Sequence, residues 1–229
     1  MAQRPYVLLK VATSIDGYID DTSPDRLLLS NPADFDRVDQ VRAESDAILI
    51  GASTIRADNP RLLVNSEQLR ADRVARGLPA YPMKVTLTAT GNLGAEWKFW
   101  HHGGEKLVYT TDHGREILRD QLAGLAEVVT LGPEISDFGK ILDDLGNRGI
   151  GRLLVEGGSQ IHTTFLAQDL VDEINLVIAP IVVGQADAPR FLQPAEYPWP
   201  PTRRMRLLDT MRTGDVVLLR FAPKEVSAS

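Results

Sequence analysis

Arg152-Leu-Leu-Val155 runs directly into Glu156-Gly157-Gly158-Ser159, and Gln160-Ile161-His162-Thr163 opens a stretch of helical character that reaches about Ala167. The apolar run is too short for a helix and reads as a buried strand. Two adjacent glycines let another backbone, or a ligand phosphate, come close. The N–H groups at the start of the following helix favour an anion, and Ser159 and Thr163 add hydroxyls. The spacing is not G-x-G-x-x-G, because Gly157 and Gly158 are adjacent and Ile161 fills the last slot, so a standard dinucleotide fingerprint is a weak reading. A tight strand–helix turn capped by Ser159 is the plain alternative.

The same strand-then-helix unit repeats on both sides of this stretch. Strands are expected at Tyr6–Ala12, Ala47–Ile50, Lys84–Thr88, Lys106–Thr110, Glu127–Thr130 and Glu173–Ala179, each an apolar run rich in branched residues. Helices are expected at Ala33–Ser45 after Asn31-Pro32, at Arg115–Leu122, and at Ser136–Leu145. Met205–Met211 and Val216–Phe221 flank Thr213-Gly214-Asp215 and read as a closing hairpin. Residues 65–81 read as a polar excursion with one exposed helical turn, its charges a solvated face. Residues 91–104 read as a loop, with Trp97 and Trp100 in local packing or an interface. This alternation predicts an α/β fold with a mostly parallel central sheet, antiparallel C-terminal strands and helices on both faces. One domain over residues 4–223 is expected, with a frayed tail at 224–229.

Composition removes several functions. The chain has 229 residues, with Lys+Arg 25 against Asp+Glu 31 and a net charge of −6, a poor balance for binding a nucleic-acid backbone. Cysteine is absent, which excludes disulfides, thiolate catalysis and Cys-ligated metals. His101, His102, His113 and His162 offer no i, i+4 zinc spacing, so no metal is expected. The longest apolar run, Leu176–Val183, contains Pro180 and is far short of the roughly 20 residues that span a bilayer. The N-terminus has no signal-peptide pattern. A cytoplasmic enzyme or binding domain with no membrane partner is the expectation.

Ligands of such sheets bind beyond the carboxyl ends of the strands. Besides Glu156–Thr163, two ends carry polar residues: Thr13-Ser14-Ile15-Asp16-Gly17, and Gly51-Ala-Ser-Thr54-Ile-Arg-Ala-Asp58-Asn59-Pro60. Asp16-Gly17 is a turn signal, and a structural role is expected for Asp16. Asp58 before Asn59-Pro60 suits a turn as readily as chemistry. Lys10 lies inside an apolar strand and must face either solvent or a ligand cleft.

Taken together, Lys10-Val-Ala-Thr-Ser-Ile-Asp16-Gly17, Gly51 to Leu62, Val155-Glu156-Gly-Gly-Ser159, Leu170-Val-Asp-Glu173 and Ile178-Ala-Pro180-Ile-Val-Val-Gly184 resemble, in that order, the reductase domain of bacterial riboflavin biosynthesis. That domain is usually the C-terminal half of a bifunctional deaminase–reductase. The resemblance covers about residues 4–222. It implies a dihydrofolate-reductase-like fold, NADPH as hydride donor and a homodimer. The substrate it implies is a 5-amino-6-ribosylaminopyrimidine 5′-phosphate of the 5-amino-6-(5-phosphoribosylamino)uracil type, whose ribose becomes a ribityl chain. The deaminase half needs a His/Cys/Cys zinc site, and a chain without Cys is expected to be a stand-alone reductase.

By resemblance, Thr13, Leu28, Thr54, Asp58, Gly157, Gly158, Ser159, Gln160, Ile161, His162, Thr163 and Thr164 fall on cofactor-contacting positions. Lys10, Arg26, Arg42, Asp58, Leu62 and Glu156 fall on substrate-contacting ones, with Asp58 and Lys10 as the catalytic pair. Arg56 and Arg115 are candidates for the 2′-phosphate of NADPH. Three positions depart from the family pattern: Asn65 stands where an Arg is usual, Arg26 near a usual Ser, and Leu28 where a Trp is frequent. Reduction of a pterin or another heterocycle, and a catalytically silent nucleotide-binding module, are the competing functions.

Overall fold

The computed structural model describes residues 3–223; the tail expected at 224–229 lies outside them. In chain order the elements are β1 (Tyr6–Thr13), α1 (Pro32–Ala43), β2 (Ala47–Gly51), α2 (Ala52–Asp58), α3 (Glu67–Ala75), β3 (Met83–Thr88), α4 (Lys98–His101), β4 (Lys106–Thr110), α5 (Asp112–Gln121), β5 (Glu127–Thr130), α6 (Gly139–Asn147), β6 (Arg152–Gly157), α7 (Ser159–Ala167), β7 (Glu173–Ile178), β8 (Arg206–Thr213) and β9 (Val216–Ala222). Two compact units arise among the described residues: residues 3–5 with Asp39–Leu154, and Tyr6–Val38 with residues 155–223.

In the first unit the strands lie in the order β5-β4-β3-β2, all parallel. β2 is Ala-Ile-Leu-Ile-Gly and is buried throughout. Each such Ile or Leu contributes about 1.5–3 kcal/mol on leaving water, which explains why a five-residue apolar run is enough to set a central strand. α5 starts at Asp112, three residues before the expected start, and is capped by Thr111, whose side chain accepts from the Gly114 N–H at 3.0 Å.

Here the sequence reading needs three corrections. Residues 67–75 are a full helix, α3, capped by Ser66. Its charges are not all solvated: Arg73 is 1% exposed and donates to the carbonyls of Ala43, Ser45 and Pro79 at 2.7–2.8 Å, closing the C-terminal end of α1. Residues 98–101 are the short helix α4 rather than loop, and residues 52–58, to which the sequence reading assigns no element, are the short helix α2. In α4, Trp100 packs edge-on against Phe99 with centroids 4.8 Å apart and donates to the Gly94 carbonyl at 2.7 Å, so the aromatic pair is local packing.

In the second unit the order is β1-β7-β9-β8, with β1·β7 parallel and β7·β9 and β9·β8 antiparallel. Leu29, Val177, Ala179, Val216 and Leu218 form its buried cluster, with Ala12, Leu27 and Ile181 against it. The outer strand β8 is exposed along most of its length, and its register with β9 shifts between Leu207 and Asp209. Asp16 ties the turn after β1 to residues 183–184. It accepts from the Ser14 hydroxyl at 2.6 Å and from the N–H groups of Val183 and Gly184 at 3.1 and 2.7 Å. The Ser14 hydroxyl first, and then those amides, hold its carboxyl down at about 2.

Candidate functional site

In the second unit, β1 carries Lys10 and ends at Thr13, both buried. Lys10 is not at solvent: it is 6% exposed, with Nζ 3.7 Å from Asp34 Oδ2. Asp34 lies in the first turn of α1, is 1% exposed, and neither carboxylate oxygen has a hydrogen-bond partner among the described residues. Sequence reasoning missed Asp34. In α1 the apolar Phe35 is 46% exposed, while the buried positions include Asp34 and Asp39. The available signal was an acidic residue in the first turn after Asn31-Pro32, usually a favourable surface feature of a helix start. Arg26 and Leu28 are exposed, Leu28 at 65%.

β6 delivers Glu156, half-buried, and Gly157, whose φ of +157° is one that side chains rarely adopt. The Gly157–Gly158 peptide is cis. Gly158 is the N-cap of α7, and the helix start has neither a side-chain cap nor an acidic residue in its first turn. The alternative in which Ser159 caps this turn does not hold: its hydroxyl donates to the Arg190 carbonyl. Thr163 Oγ1 accepts from the Gln193 N–H at 2.9 Å, and Thr164 Oγ1 donates to the Gln160 carbonyl at 2.9 Å. His162 and Ile161 point inward. His162 is 1% exposed, packs edge-on against Phe191, and burial pushes its imidazole to about 3, so it carries no charge toward a ligand. What α7 offers is therefore its uncapped backbone amides and Gln160, the most exposed residue of its first turn. That donor set fits an anionic diphosphate.

In the first unit, Thr54 lies half-buried in α2, and Asp58 is the last residue of that helix. The turn belongs to Asn59, the left-handed C-cap with φ 42°, rather than to Asp58. Leu62 is buried with φ 50°. Arg42, in the last turn of α1, donates from Nη1 to the Leu63 carbonyl at 2.9 Å. Asn65 is exposed, and its N–H and that of Ser66 are taken by the Asp39 carboxylate at 2.6 and 2.7 Å. Arg56 and Arg115 are exposed, and Arg56 donates to the Asn92 carbonyl at 2.9 Å. Among the described residues no cluster of His, Asp and Glu could hold a metal ion, and no helix is long and apolar enough to cross a membrane.

A mostly parallel α/β sheet closed by an antiparallel hairpin, with polar residues gathered at strand ends, is the architecture of a dihydrofolate-reductase-like protein. Dihydrofolate reductase from Enterococcus faecalis has this fold, with a TM-score of 0.53 over 97% of this chain and 98% of its own, at 11% identity. More specifically, the chain belongs to the RibD C-terminal domain family, which matches residues 5–219. It is 36% identical over 186 residues to a 2,5-diamino-6-ribosylamino-4(3H)-pyrimidinone 5′-phosphate reductase of Archaeoglobus fulgidus, covering 81% of this chain and 85% of that one. Among solved structures, Acinetobacter baumannii RibD superimposes with a TM-score of 0.78 at 28% identity, over 97% of this chain and 59% of that chain. The chain is an oxidoreductase of the riboflavin pathway type, and the fold expected from its sequence is the fold observed.

Proposed function

We propose that residues 4–223 act as one reductase domain that converts the ribose of a ribosylaminopyrimidine 5′-phosphate to a ribityl chain. The observation that carries this reading is the 36% identity to the Archaeoglobus reductase across 85% of that enzyme. The same relative argues for 2,5-diamino-6-ribosylamino-4(3H)-pyrimidinone 5′-phosphate as substrate, in preference to the uracil that the sequence reading favoured. The two differ at one ring substituent: an amino group donates hydrogen bonds where an oxo group accepts them. A carboxylate such as Glu156 suits donors.

The donor set of α7 supports a nicotinamide dinucleotide, NADPH, as cofactor, held at its pyrophosphate by residues 157–164. Thr13, Leu28 and Thr54 would contact the rest, and Arg56 or Arg115 the 2′-phosphate. When bound, this cofactor supplies hydride to C1′ of the opened sugar. The protein's own residues handle the protons. Opening the ribose breaks the C1′–O bond, and the leaving oxygen needs a proton that Lys10 can deliver from beside Asp34. Asp58 takes the proton that the nitrogen on C1′ loses as the ring opens to an imine, and returns it to that nitrogen as C1′ is reduced. Arg42 and Arg26 serve the 5′-phosphate, whose oxygens a planar guanidinium matches bidentately. Leu62 supplies an apolar wall. A cytoplasmic homodimer is part of the same reading, built in part on Leu207, Met211 and Val217, exposed at 52%, 45% and 41%.

Oxidation of NADPH, followed at the nicotinamide absorbance with the diamino-pyrimidinone, its uracil counterpart, their unphosphorylated forms and a dihydropterin, tests this function. Turnover should be greatest with the phosphorylated diamino compound, and Asp58→Asn should lower it by about 10²-fold or more. A phosphate preference below about threefold, under 1 kcal/mol, would place the substrate among unphosphorylated heterocycles. No oxidation with any of them would leave a nucleotide-binding module.

A further inference from the structure

Lys84, at the second position of β3, is 1% exposed. Its strand neighbours are Ile48 on β2 and Lys106 on β4. Nζ donates to the carbonyls of Phe99, in α4, and Arg61, the latter at 3.1 Å, and lies 4.5 Å from the centroid of the Phe99 ring. Among the described residues no carboxylate comes within ion-pair distance of it, and the one charge that acts on it, Lys106, repels it. Lysine is rarely buried without a counter-ion, and an apolar side chain would fill a strand position with less desolvation. The two carbonyls are what this side chain reaches.

The Arg61 carbonyl belongs to a segment that is tied at nearly every residue. Asn59 Oδ1 accepts from the Lys98 N–H at 2.8 Å. Arg42 holds the Leu63 carbonyl, and Arg70 Nη1 holds those of Val64 and Asn65 at 2.9 and 2.6 Å. The segment needs holding because Leu62, a branched side chain, sits at φ 50° in the left-handed region. Lys84 supplies the tie immediately before Leu62, and its second acceptor fastens that tie to α4.

We propose that Lys84 is a positioning residue for substrate: its ammonium pins the Arg61 carbonyl to the Phe99 carbonyl and so fixes the adjacent Leu62 in its working conformation. This rests on the reading that Leu62 serves the substrate. Burial first, and Lys106 second, push the Lys84 amine down to about 7. The charged pin is therefore present below about 7 and weakens as pH rises, which loosens the segment. Stability runs the other way. Between about 7 and the ordinary lysine value the unfolded chain holds a proton that the folded chain does not, so Lys84 favours folding more as pH rises.

The experiment measures KM, kcat and melting temperature from pH 6.5 to 9 for the wild type, Lys84→Met and Lys84→Arg, with the diamino-pyrimidinone phosphate as substrate. Wild-type KM should rise through pH 7 to 8 while kcat changes little. Lys84→Met should have a KM higher by about tenfold or more at pH 6.5, the usual loss for a charged hydrogen bond, and no break in its profile. Lys84→Arg, which does not titrate, should abolish the break while keeping the low KM. Relative to Lys84→Met, the wild-type melting temperature should rise with pH over the range where its KM worsens. KM and melting temperature moving together with pH, or a folded Lys84→Met with wild-type KM, would overturn the proposal. Should Lys84→Met not fold, a wild-type KM without a break between pH 6.5 and 8 overturns it alone. If the wild type does not reduce the substrate at all, the functional reading has failed instead.

Discussion

Lys10 and Lys84 are both buried lysines on parallel strands, one in each compact unit, and the protein treats them differently. Lys10 faces a carboxylate, Asp34, across 3.7 Å in surroundings that exclude water. Lys84 faces two backbone carbonyls and an aromatic ring, with no opposite charge. A full negative charge offsets the desolvation of an ammonium far better than carbonyl dipoles do. One lysine thus has a carboxylate at ion-pair distance, while burial pushes the other toward neutrality. A counter-ion of its own suits a lysine proposed to hold a proton for chemistry, and carbonyl partners suit one proposed to shape backbone.

The largest effect should come from Lys10→Met, which removes the ammonium and keeps the aliphatic bulk. If Lys10 delivers a proton, kcat should fall by about 10²- to 10⁴-fold, measured by NADPH oxidation in a protein whose circular dichroism is unchanged. Near-normal turnover would erase the functional half of the contrast and leave Lys10 as a structural partner of Asp34. Next comes Asp34→Ala, which removes the carboxylate 3.7 Å from the Lys10 ammonium. Removing one member of a buried pair typically costs about 3–5 kcal/mol, read from urea unfolding. A cost under about 1 kcal/mol, the range of exposed pairs, would mean that water reaches the pair. Lys10→Met combined with Asp34→Ala should recover part of the loss, since both members of the buried pair are then gone.

The smallest effect should be at Asp16, a carboxylate stabilised by hydrogen bonds and not by a buried cation. Because its folded value lies near 2, below the ordinary carboxyl range, its contribution is complete above about pH 4 and is lost as pH falls toward 2. Thermal scans of Asp16→Asn and wild type should therefore differ most above pH 4 and converge toward pH 2. A difference that does not change with pH would assign the turn to backbone geometry alone.

The strands were legible because each is an apolar run whose burial needs no partner chemistry: the expected and observed limits of β4 and β5 coincide, and those of β2 and β3 differ by one residue. The helices were less legible where their inward faces are polar. α1 buries Asp34 and Asp39, and α3 buries Arg73; hydrogen bonds to backbone stabilise Asp39 and Arg73, Lys10 faces Asp34, and no apolar period records such contacts. The candidate site residues came from the ordered motifs rather than from spacing. Their local roles then needed coordinates: Ser159 spends its hydroxyl on Arg190, Asn59 and not Asp58 makes the turn, and Arg42 already holds Leu63. Lys10 was noticeable because apolar residues precede and follow it. Lys84 was not, because a lysine at the start of a strand reads as a boundary.

The shifted register of β8 has a consequence for how the protein behaves in a crowded solution. An outer strand with unpaired backbone groups is a template on which further chains can pair without limit. The irregularity between Leu207 and Asp209 twists that template out of true, and Arg206, Asp209 and Arg212 place charges of both signs along it. Strand-by-strand growth is thereby obstructed, so concentrated solutions of the folded chain should resist fibre formation even though apolar side chains are exposed on the same hairpin.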